Sequence, residues 1–196
     1  MKEVTAHQLQ TVWLMMRTMQ SGLLGQMDLS SSGVKRSFYA IVVAAPSLAI
    51  GWVGTSRLVL GQGATADQMI RLVSGLAMAD LVSWLLPLAV FAPLLTMLGL
   101  GSRYPAFIIA TNWAGAIFAF IALPIGIGRI FAPTATEFDM LIILTILVVT
   151  CTLYWRLLRA VLGVSGGQAA AFVLVSFLTG ILSGYVAASL LGLPLD

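Results

Sequence analysis

Five long apolar stretches dictate what this chain can fold into. Residues 37–60, 72–100, 105–131, 138–164 and 168–193, approximately, each exceed the roughly 20 residues a helix needs to cross a hydrocarbon core about 30 Å thick. Lipid offers no water to backbone amides, so a spanning segment must bond them internally, as a helix or within a closed barrel. Barrel strands run about 10 residues and alternate apolar with polar; these stretches are far longer and do not alternate. The fold class is therefore all-α, a polytopic transmembrane bundle of about five spans. Composition agrees: 60% of the 196 residues are hydrophobic and 9% charged, which excludes a water-soluble globule. The second stretch outruns the bilayer. Tilt, a break near Pro87 or Pro93, or an interfacial extension must absorb its excess.

Residues 1–36 are more polar and form a separate region, ahead of the bundle at 37–196. Helical spacing places Leu9, Val12, Trp13, Met16 and Leu23 on one face, with Gln8, Gln10, Arg17 and Gln20 mostly opposite. This predicts an N-terminal amphipathic interfacial helix lying in the headgroup plane, with packing on the protein's own cytoplasmic loops as the alternative. Its residue order is not that of a cleaved secretory signal, so it is expected to be retained. Asp28-Leu-Ser-Ser-Ser-Gly33 is expected to end it, since these residues favour turns and caps. A cytoplasmic N-terminus puts Lys2, Arg17, Lys35, Arg36, Arg103, Arg156 and Arg159 inside, against Arg57, Arg71 and Arg129 outside, which predicts a periplasmic C-terminus. Trp13, Trp52, Trp155, Tyr39 and Tyr104 fall near the expected interfaces. The formal net charge of +3 is dispersed, without the basic, aromatic-laced run that nucleic acid would need.

Reactive side chains are scarce. Cys151, the single cysteine, admits no intrachain disulfide or thiolate zinc site. His7 is the only histidine and has no acidic cluster around it, so a hydrolase triad and a metal centre are not expected, nor is any cofactor. Asp80 is the one carboxylate well inside a span, toward the outer third, where an ionised group must be paired, hydrated or protonated. Arg57 and Arg129 are its candidate partners, in a register-fixing ion pair or hydrogen bond; a proton or ion relay is the alternative. Asn112, in the third span, calls for interhelical bonding or a place in a pocket wall. Thr111, Ser83, Thr150 and Thr152 can bond back to their own helices. In the last span Ser176, Gly180, Gly184, Ala188 and Gly192 recur every fourth residue, a strip of small side chains for close helix packing, within the chain or between copies. Pro124-Ile-Gly-Ile-Gly128 lacks the Gly-Lys-Ser/Thr of a phosphate loop and is expected to bend the chain at a helix end.

Arg103-Tyr-Pro-Ala-Phe-Ile-Ile-Ala-Thr-Asn-Trp113, with Pro124 beyond it, resembles the start of the third span in the Yip family, the Ypt/Rab-interacting membrane proteins and their bacterial relatives. Tyr154-Trp-Arg-Leu-Leu-Arg-Ala-Val-Leu-Gly-Val-Ser-Gly-Gly-Gln-Ala169 is similar to that family's fourth-span exit, polar turn and fifth-span start. The shared plan, a cytoplasmic N-terminal region followed by about five spans, covers the chain from about residue 37 onward. The resemblance implies a multipass membrane factor that works through partners, with no enzymatic residues to carry over. The acidic, Gly-Pro-bearing stretch of eukaryotic members is missing here, and the short, sparsely charged loops look bacterial.

These readings converge on a non-enzymatic accessory or scaffold subunit of a bacterial inner membrane. Its expected partners are membrane lipids and either further copies of itself or a larger membrane complex, and no nucleic acid. The alternative is a small-solute or ion transporter or channel whose path is lined by Asp80 and Asn112.

Overall fold

A computed structural model describes residues 2–61, 63–133 and 136–190. Among the described residues there are seven α-helices: α1 (Lys2–Thr18), α2 (Ser31–Ser37), α3 (Tyr39–Leu60), α4 (Ala66–Met97), α5 (Tyr104–Phe131), α6 (Glu137–Leu162) and α7 (Gly166–Leu190). Short 3-10 turns occupy Ser21–Gln26 and Gly101–Arg103, and the described residues contain no strand. Among the described residues, five helical segments are long and apolar enough to cross a membrane; the first of these includes α2 and α3 together. The chain is a multipass membrane protein by length and composition of its helices.

Local chemistry sets the ends of these helices. At the start of α4 the Thr65 hydroxyl accepts from the Gln68 N–H while the Gln68 side chain accepts from the Thr65 N–H. That reciprocal cap satisfies amides a helix N-terminus leaves open, and it starts α4 six residues before the apolar stretch itself. Thr136 and Asp139 form the same box ahead of α6. Gly61 and Gly163 stop α3 and α6 at positive φ, a conformation costly for residues with a Cβ. Pro87 and Pro93 lie inside a continuous α4, so the long span is not broken. Pro124 is likewise inside α5, and the Pro124–Gly128 segment is helix up to Phe131 where a bend was expected.

α5 is the central element. Half of its most apolar window is buried, against 17–22% for the other four candidate spans. It packs on α3, α4 and α6, while α7 closes the far side against α4 and α6. Phe91 of α4 stacks on Phe107 of α5 at 4.7 Å and meets Phe172 of α7 at 5.5 Å, joining three helices through one aromatic cluster.

The close helix approach occurs between α3 and α5. Ala40, Ala44, Ser47 and Gly54 are buried on α3, the Ser47 hydroxyl donates to the Ala119 carbonyl at 2.6 Å, and a Cβ on Gly54 would lie 2.5 Å from the Gly126 carbonyl oxygen. The glycines of the α7 strip are not used this way: among the described residues, nothing beyond their own helix backbone comes within 4 Å of a Cβ built on Gly180 or Gly184. α7 instead meets its neighbours through Ser176, the first residue of the strip, whose hydroxyl bonds Tyr154, and through the buried Ser183, which lies off the strip and bonds Ser83. Gly192 lies outside the described residues, as does the side chain of Ala188.

The N-terminal region also departs from expectation. α1 stops at Thr18, where Met19 takes φ 56°, well before the Asp28–Gly33 segment. Val12, Met15 and Met16 are fully buried in the same cluster as Leu157, Leu158 and Val161, because α1 lies across α5 and α6. Its apolar face is therefore spent on the protein's own helices, with Trp13 left 37% exposed. Asp28–Ser30 caps α2: the Ser30 hydroxyl accepts from the Gly33 N–H, and Arg36 pairs with the Asp28 carboxylate. The hydroxyl and backbone N–H of Ser30, with Arg36 beside them, hold the Asp28 carboxyl below its ordinary range.

A candidate intramembrane cavity

One face of each of four helices turns toward a common hollow, and the polar residues of α4 lie on such a face. On α4, Asp80, Ser83, Trp84 and Pro87 follow the three- and four-residue spacing of a single helix face. Phe107, Thr111 and Gly115 do so on α5, Leu147, Cys151 and Tyr154 on α6, and Val173 with Phe177 on α7. With Leu48 of α3 these faces line an open-sided cavity of about 420 Å³. A second hollow of about 260 Å³ lies between α3 and α4, lined by Trp52, Met78 and Leu81 among others. Leu48, Asp80 and Trp84 belong to the walls of both.

Asp80 stands about 21 Å along α4 from its first residue, at about 1.5 Å per residue. Its Oδ2 accepts from the Trp52 indole N–H at 2.6 Å. Neither expected arginine reaches it. Arg57 donates to the Ile130 carbonyl at 3.0 Å and Arg129 to the Thr55 hydroxyl at 3.1 Å, so both are used to tie α3 to α5. The reason is geometric: these guanidinium groups extend from the last turns of α3 and α5, whereas Asp80 is deep within α4. Trp52, placed near an interface by sequence position, is mid-helix and bonded to a carboxylate.

Asn112 is fully buried, and both ends of its amide are satisfied: its NH2 donates to the Ser37 hydroxyl at 2.8 Å and its carbonyl accepts from the Trp84 indole at 2.9 Å. It thus joins α2, α4 and α5 while also facing the cavity. Gly115 makes room for the same indole, since a Cβ there would sit 2.8 Å from Trp84 Cζ2. Ser83 bonds Ser183 across helices at 2.7 Å, whereas Thr111, Thr150 and Thr152 bond back to their own helices. Tyr154 and Ser176 share a hydrogen bond at 3.2 Å.

Trp84, Ser37 and Gly115 escaped the sequence reading, although the four-residue step from Asp80 already puts Trp84 on its face. Among the described residues, no three or more His, Cys, Asp or Glu side chains come together as a metal site would require. The cavity can hold an apolar body, and the free capacity of its polar lining is concentrated at Asp80. No family model, curated protein or solved structure matches the chain.

Proposed function

We propose that this chain is a non-enzymatic accessory or scaffold subunit of a bacterial inner membrane, similar in plan to the Yip family and working through protein partners. One observation carries the reading: several of the polar side chains inside the bundle hold one helix to another. Asn112, Ser37 and Trp84, Ser83 with Ser183, and Tyr154 with Ser176 form helix-to-helix bonds, and among the described residues no three His, Cys, Asp or Glu gather into a cluster. The seven-to-three split of Lys and Arg supports a cytoplasmic N-terminus and a periplasmic C-terminus. Gentle native purification followed by mass spectrometry tests the proposal. A stoichiometric membrane partner, or a defined homo-oligomer in native lipid, is the expected result; a lone monomer in both detergent and lipid, with every co-purifying complex assembling normally in a deletion strain, overturns it.

A second reading, transport of an ion or small solute, draws support from Asp80 and Asn112 sharing one cavity wall. It expects Asp80→Asn to abolish coupled flux in proteoliposomes while folding is kept. Absence of flux for protons, alkali cations and small amines in wild-type vesicles removes it.

A further inference from the structure

We infer that the hollow between α3 and α4 binds a monovalent organic cation with an apolar tail, an alkylammonium-type amphiphile, its head against Asp80 and its tail in the central cavity. Charge is the first ground. Asp80 has Trp52 on Oδ2, while no hydrogen bond or cation reaches Oδ1 among the described residues. The ion pairs found there, Arg36 with Asp28 and Arg71 with Asp67, lie elsewhere. A positive partner is one of the ways a span accommodates an ionised carboxylate, and among the described residues no cation pairs with this one.

The wall chemistry is the second ground. Trp52 and Trp84 both line the hollow that Asp80 borders, and their N–H groups are already engaged by Asp80 and Asn112. What remains of each indole is its ring, the aromatic surface that attracts an organic cation most strongly. A hydrated metal ion would have to exchange its water for too few ligands, since among the described residues no three His, Cys, Asp or Glu side chains gather to hold it. An anion or a polyol would find few uncommitted donors, since Ser83, Thr111, Asn112 and Tyr154 are all bonded.

Shape is the third. The smaller hollow adjoins the larger cavity at Leu48, Asp80 and Trp84, so a compact head and a flexible tail can occupy the two together. Met78 and Leu81 of the outer rim are 54% and 39% exposed, which opens the hollow sideways to the bilayer. An amphiphile dissolved in the membrane can enter by that route. This site goes beyond the accessory reading and stands whether or not the chain has protein partners.

The full chain in uncharged maltoside micelles provides the test. Decyltrimethylammonium, decanol and decyl sulfate share a tail and differ in charge, so calorimetric titration separates the head from the tail. The expected order is cation tightest by about tenfold over the alcohol, with the sulfate weakest. Asp80→Asn should reduce the cation to the level of the alcohol, and bound cation should slow alkylation of Cys151, in the cavity wall, by a lipophilic maleimide. Equal binding of cation and alcohol, or no binding of the cation, overturns the inference from wild-type protein alone, however the variant folds. A cation preference that survives Asp80→Asn in a variant with native near-ultraviolet circular dichroism overturns it as well.

Discussion

The indole N–H of Trp52 donates to Asp80 Oδ2 across 2.6 Å, joining the middle of α3 to the middle of α4 by a bond between a neutral donor and a carboxylate. Within a membrane such a bond has a modest worth in stability, because either group finds other partners when the helices separate. Removing only the donor differs from removing the acid.

Trp52→Phe is expected to lower stability by about 0.6–2 kcal/mol, the range for interhelical hydrogen bonds in lipid. Asp80→Leu should cost less, or stabilise, because it deletes the carboxylate's desolvation along with the bond. Unfolding in graded sodium dodecyl sulfate reads both. Equal losses from the two variants would contradict a desolvated carboxylate at this position.

Asn112→Leu leaves the Trp84 N–H and the Ser37 hydroxyl without their partner, for an expected loss of about 1–3 kcal/mol. Gly115→Ala acts on the same ring by pushing its six-membered edge, which is only 2.8 Å from the new methyl group. Both substitutions should alter the near-ultraviolet circular dichroism of the tryptophans. A Gly115→Ala spectrum identical to wild type would show that the indole is not fixed there.

Two sets of glycines should respond differently. Gly54→Ala forces α3 off the Gly126 backbone and is expected to cost about 1–3 kcal/mol, the usual effect of overpacking. A Cβ at Gly180 or Gly184 meets nothing within 4 Å beyond its own helix backbone among the described residues, so Gly180→Leu and Gly184→Leu should cost the isolated monomer less than about 0.5 kcal/mol. Size-exclusion chromatography with light scattering supplies the complementary measurement: loss of an oligomer in the leucine variants, with monomer stability kept, assigns the α7 strip to contacts between chains. A large loss of monomer stability would contradict the spacing around α7.

Acid should loosen the start of α2. The Asp28 carboxyl titrates below its ordinary value of 3.8, chiefly through the Ser30 hydroxyl and amide, so its stabilising contribution is complete above that value. It is lost as pH falls through the lowered folded-state value. The difference in thermal stability between wild type and Asp28→Asn should therefore be constant near neutrality and close below pH 3.8. A difference that widens on acidification would reverse the sign and refute the capping role.

The sequence by itself determined the helices that can span, because lipid leaves the backbone no alternative and the apolar lengths are unmistakable: α3, α5 and α6 begin and end within two residues of the apolar stretches. It also singled out Asp80 and Asn112, since a carboxylate and an amide in hydrocarbon demand a reason. Only the tertiary structure decided what those groups bond, because hydrogen-bond partners are set by rotation and lateral placement of helices, which span length does not encode. Trp52 in place of Arg57 or Arg129, α5 rather than α7 at the tight seam, and α1 packed on its own bundle all follow from that placement. A repeat of small residues shows that a helix permits close approach; whether a neighbour comes near depends on where the other helices stand.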